Sequence, residues 1–139
     1  MDDKAIWWPA VAMVALTCVV WFRMYFMRIG QMKRERIHPQ AVATSAQATA
    51  RLTDSRAADS FRNLFELPVL FYLALCVAAL SGEVTTAVLV LAWLFVALRV
   101  LHSAIHCTYN KVMHRFKAHL VGGLVLWALW GVLVWGLLK

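Results

Sequence analysis

Four stretches of this chain are each apolar over about twenty residues, the length an α-helix needs to cross the roughly 30 Å hydrocarbon core of a bilayer. They run from about Ile6 to Ile29, Asp59 to Leu80, Val84 to Tyr109 and His119 to Leu138. A backbone in lipid must satisfy its own hydrogen bonds, so each stretch has to be helical. The composition agrees: 63% of residues are apolar and only 15% are charged, and the charges are clustered between the runs. At 139 residues the chain is one domain. The fold class these features predict is all-α, an integral membrane four-helix bundle.

The placement of charge orients the bundle. The first loop carries Lys33, Arg34, Arg36, Arg51 and Arg56, and the third carries Lys111, Arg115 and Lys117, whereas the second holds only Glu83. The excess of Lys and Arg predicts loops one and three in the cytoplasm and both termini on the opposite side. The net charge of +7 is therefore read as cytoplasmic anchoring against anionic membrane lipid, with no nucleic-acid partner. Cys18, Cys76 and Cys107 lie in or beside apolar runs without paired spacing and are read as packing residues. The acidic start at Asp2-Asp3 and the long first run predict a span rather than a cleaved signal peptide. Gly30 is expected to end the first helix, Ala41 to Ala50 to be a solvated connector, and Pro68 to kink the second helix. Asn110 to Lys117 reads as a short basic connector, and Gly122-Gly123 as a point of close helix approach.

Polar residues inside the runs are costly and so informative. An Arg at a bilayer centre costs about 2.5–3.5 kcal/mol on insertion scales. Arg99, His102, His106 and Tyr109 are spaced three, four and three apart, which puts them on one helix face. Arg62 and Glu66 are four apart, with Asn63 beside them, and would share a face of the second helix. Antiparallel packing would bring Glu66 and Arg99 to similar depth, predicting an ion pair. Such a cluster fixes helix register or forms a functional site, and the number of groups opening toward one end favours the second. His102 and His106 have the spacing of metal ligands, but Glu66, His114 and His119 complete no recognised motif with them. They are read as neutral hydrogen-bonding side chains, and no metal is assigned. Trp127, Trp130 and Trp135 read as packing or interface anchors. No inverted repeat relates the two halves, which disfavours a small transporter.

Three segments carry a resemblance: Arg23 to Lys33, Arg56 to Pro68 and Arg99 to His106. The chain resembles the MAPEG superfamily, the membrane-associated proteins in eicosanoid and glutathione metabolism, most specifically in Arg62-Asn63 followed by Glu66 and Pro68. The resemblance implies a homotrimer that binds glutathione between protomers near the cytoplasmic face. It assigns cofactor binding to Lys33, Arg62, Asn63 and Glu66, with Arg99 and His102 behind them. A basic residue beyond the third helix would stabilise a thiolate, Arg115 being the nearest candidate and Lys111 or His114 the alternatives, with His106 and Tyr109 at the same catalytic end. A thiolate nucleophile needs a cation or donors to lower its pKa. The implied activity is a glutathione-dependent transferase or peroxidase acting on a lipophilic electrophile that enters from the bilayer. Glutathione-using members usually carry Arg where this chain has Asp59, and Tyr where it has His106. Those two positions support a second reading, a non-catalytic protein of the same fold that binds lipid or a partner.

Overall fold

The computed structural model describes residues 3–139, so Asp2 of the acidic start lies outside it. A 3₁₀ turn at Asp3–Ile6 leads into α1 (Trp7–Arg34). A second 3₁₀ turn at Pro39–Val42 precedes α2 (Ser45–Arg51), followed by α3 (Arg56–Asn63) and α4 (Leu67–Ser81). The chain closes with α5 (Thr86–Cys107) and α6 (Val112–Leu137). There is no strand among the described residues. Four helical spans, with α3 and α4 together forming the second, are long and apolar enough to cross a membrane. The outward faces carry Trp8, Phe26, Leu80 and Trp135, all exposed. Such a surface suits lipid and would aggregate in water. The chain is a multi-pass, membrane-type helical protein.

Three boundaries differ from the sequence expectation. Gly30 does not end α1, which continues to Arg34. A helical glycine costs only about 1 kcal/mol, and Gln31 just beyond it is buried and donates to Glu35 Oε1 at 2.9 Å and Thr53 Oγ1 at 3.0 Å. The chain reverses instead at Arg36, whose φ is 53°. Within the connector, Thr44 and Gln47 form a reciprocal capping box that starts α2.

The second difference is a break rather than a kink. Pro68 has no N–H and its ring excludes the carbonyl four residues back, so it is tolerated in the first turn of a helix and not in its interior. Pro68 accordingly sits in the first turn of α4, and Glu66 takes φ −94° and ψ −105°. Arg62 therefore lies on α3 and Glu66 in the break before α4, and the shared helix face expected from their spacing does not exist.

Third, α6 begins at Val112, seven residues before His119. Asn110 turns the chain with φ 48°, a conformation asparagine tolerates better than most residues. Arg115 and Lys117 are consequently helical residues, not loop residues.

The core is built where α4, α5 and α6 meet. Phe71 and Phe95 stack with centroids 4.6 Å apart, both fully buried, and Leu126, Leu129 and Leu133 line α6 toward them. Gly122 lets α6 pack closely on α5: a Cβ there would lie 3.7 Å from Leu98 Cβ and 3.9 Å from the Arg99 guanidinium. Lipid tails provide no hydrophobic drive between helices, so this close packing supplies the contact energy.

Candidate functional site

The polar end of the bundle is held by arginines that cap α5. The last carbonyls of a helix lack intrahelical partners and carry partial negative charge. Arg23 of α1 donates to the Cys107 carbonyl at 2.7 Å, and Arg56 of α3 donates to the Thr108 carbonyl at 2.6 Å. Arg56 also forks onto Asp54, at 2.9 and 2.7 Å. Its guanidinium holds the Asp54 carboxyl below the ordinary aspartate value of 3.8. Arg115 donates to Asn110 Oδ1 at 2.7 Å, bracing the turn between α5 and α6.

Beside that turn lies a recess of about 260 Å³. Asn63 and Glu66 enter from the α3–α4 break, His102 from α5, and Arg115, Phe116 and His119 from α6. The break at Pro68 is what lets Glu66 stand here as an exposed carboxylate. His102 is oriented by donating from Nδ1 to the Arg115 carbonyl at 3.1 Å, which leaves its Nε2 as an acceptor. That Nε2 is buried and has no partner. The His102 and His119 rings are 5.5 Å apart, and those of His102 and His106 5.7 Å. The recess thus combines a cation, a carboxylate, an amide and two imidazoles at the mouth of a buried polar layer.

Arg99 belongs to that layer and is only 1% exposed. Its expected pair with Glu66 is not formed: the ion pairs within 4 Å among the described residues are Arg56–Asp54 and Arg62–Asp59. Glu66 acts on Arg99 only at longer range. Arg99 instead donates from Nη1 to His119 Nδ1 at 3.5 Å and lies 5.3 Å over the Phe95 ring, with Nη2 unpartnered. The reason is geometric, since the backbone at Glu66 turns its side chain outward while Arg99 points to α6.

The remaining sequence candidates fall elsewhere. Arg62 is exposed, lies 3.8 Å from Asp59, and lines a different recess of about 310 Å³ against the first loop. Lys33 is exposed in the last turn of α1 and lines neither recess. Tyr109 is exposed and its hydroxyl is hydrogen-bonded with His114 Nδ1 at 3.2 Å, outside the recess. His106 is buried behind His102, and its Nδ1 has no partner. Among the described residues no group of three or more His, Cys, Asp or Glu is arranged to hold a metal ion. The sequence reading did not place His119 or Phe116 in this site. The signal was the four-residue step from Arg115 to His119, legible only if α6 starts at Val112.

Compared with known protein families, residues 6–135 match MAPEG. The chain belongs to the MAPEG family. Comparison with curated proteins and with solved structures returns no match. The MAPEG match takes in the second and third spans whole and all but the outer ends of the first and fourth, and both recesses fall within it.

Proposed function

We propose that this MAPEG protein is a glutathione-dependent transferase or peroxidase for lipophilic electrophiles, acting as a homotrimer with the recess at Asn63, Glu66, His102, Arg115 and His119 as each protomer's share of the site. The observation that carries this reading is the convergence of those five side chains from three separated segments on one recess. At about 260 Å³ it falls just below the 300–1,000 Å³ of common small-molecule sites, in keeping with a site completed by a neighbouring copy. The donor set suits a zwitterionic peptide: Glu66 accepts from an ammonium group, Arg115 and Asn63 donate to carboxylates and amides, and the orphaned His102 Nε2 accepts a further proton donor. Glutathione would supply the nucleophilic sulfur. Arg115, fixed by Asn110, places a permanent cation where a thiolate would be stabilised. The apolar outer surface lets a membrane-dissolved electrophile reach that end without crossing water.

The test is thermal protection of the purified oligomer by millimolar glutathione, read together with the ultraviolet absorbance of bound thiolate. Glu66→Gln and Arg115→Ala should each abolish both signals. An unshifted melting temperature in the native protein overturns the cofactor assignment.

A second reading has its own support in Arg62. Its guanidinium lies by Asp59 rather than beside Asn63 and Glu66, so one cation of the family pattern is diverted. In a non-catalytic lipid- or partner-binding protein, Asp59→Arg would not restore glutathione protection. In the enzyme it would strengthen it.

A further inference from the structure

A groove between α1 and the α3–α4 segment is independent of the glutathione reading. It has a volume of about 680 Å³ and is lined by Val14, Cys18 and Trp21 on one side and Phe61, Phe65 and Tyr72 on the other. Its polar groups are few: Thr17 is engaged with the Met13 carbonyl at 2.9 Å, and the Tyr72 hydroxyl, the Trp21 indole N–H and the Cys18 thiol lie along otherwise apolar walls. Most of the groove wall is apolar carbon, which suits an acyl chain. The groove does not end in apolar surface. Val14, Cys18, Trp21, Tyr25 and Arg28 are spaced four, three, four and three apart, so one stripe of α1 runs from the groove to Arg28. From Trp21 to Arg28 the helix rises about 10 Å, the distance from upper acyl carbons to a headgroup.

Arg28 lines the recess formed by the first loop and α3, together with the hydroxyl residues Thr44 and Ser45. It is half-buried, and among the described residues it makes no hydrogen bond or ion pair. The other charges of this recess are occupied. Asp54 is forked by Arg56, and Asp59 is shared by Arg62 and the Ser55 hydroxyl. The recess therefore has one uncompensated cation, about two turns along α1 from the apolar groove.

We propose that an anionic glycerophospholipid, from the leaflet on the side of the first loop, seats its phosphate on Arg28 and one acyl chain along the α1–α3 groove. Charge complementarity selects this occupant. A second copy of the chain would bury Arg28 against protein and would have to provide an acid in the membrane-facing half of its surface, where the acids are few. The lipid brings the acid with it. Bound there, it would hold the first loop against α3 and close the gap between α1 and the broken second span.

The full-length protein is reconstituted in vesicles of phosphatidylcholine with phosphatidylglycerol, extracted gently, and analysed by native mass spectrometry. The protein should retain phosphatidylglycerol over phosphatidylcholine, and Arg28→Gln should reduce the retained fraction at least about fivefold at unchanged oligomer mass, a loss of the order of 1 kcal/mol. Arg28→Lys should keep the preference, and Arg34→Gln, an exposed cation outside this recess, should leave it untouched. In a Cys76→Ser background, phosphatidylglycerol should slow maleimide labelling of Cys18, the exposed thiol in the groove. Equal retention by Arg28→Gln, or no preference between the two lipids, overturns the proposal. So does a short bis-maleimide that joins Cys18 of two copies, because the groove is then a protein interface.

Discussion

Replacing Arg99 by Met should stabilise the protein. Arg99 is essentially inaccessible, and among the described residues no carboxylate lies within 4 Å and one guanidinium nitrogen has no partner. On insertion scales, removing an Arg from the middle of a span recovers about 2.5–3.5 kcal/mol. Against this stand a single hydrogen bond at the limit of its range and a cation–π contact, together about 1–1.5 kcal/mol. Met approximates the Arg stem in length and flexibility and leaves little void. The net gain is about 1–2 kcal/mol, or about 3–8 °C in melting temperature for a domain of this size. Arg99→Ala should fall about 2–3 kcal/mol below Arg99→Met, because it adds a cavity to the same loss of charge. The seven tryptophans allow both variants to be followed by fluorescence melting in detergent and in lipid discs. A melting temperature for Arg99→Met below that of the native protein would refute the reasoning. It would mean that Arg99 is compensated in the membrane by an acid from a neighbouring copy or a bound anion.

Packing at Gly122 makes a graded prediction. Alanine there meets Leu98 and Arg99 at ordinary contact distances and should change the melting temperature little, whereas leucine overpacks the α5–α6 contact and should cost about 1–3 kcal/mol. The Asp54–Arg56 fork makes a pH prediction. Because the folded carboxyl titrates below its ordinary value of 3.8, its contribution is complete above that pH and is lost as pH falls through the lower, folded value. Both partners are solvated, so the effect is small. Protease sensitivity of the first loop should rise below about pH 4 in the native protein, and Asp54→Asn should flatten that dependence.

How much of the site was legible depended on whether a residue's role is local. Asn63, Glu66, His102 and Arg115 were named from pattern and resemblance, and all four line one recess. Lys33, Arg62 and Tyr109 were named on the same grounds and lie outside it, because long polar side chains at a membrane boundary choose among several nearby partners. For Arg62 that partner is Asp59, and for Tyr109 it is His114. Arg23 and Arg56 could be read only as basic flanking residues. Their function as caps on the end of α5 depends on carbonyls 84 and 52 residues away.

Sequence by itself determined the number of spans, the all-helical class and the family, since each follows from hydropathy and from motifs within one segment. It also located the costly residues, because a charge inside an apolar run is visible without a fold. Tertiary structure decided what those charges do. The proline-driven break turned Glu66 away from Arg99, the early start of α6 brought Arg115 and His119 to the recess, and packing against α6 gave Arg99 an imidazole in place of a carboxylate. In each case the deciding quantity was the direction of a side chain relative to another helix, which depends on backbone geometry at a helix end. Periodicity along a single helix carries no information about it.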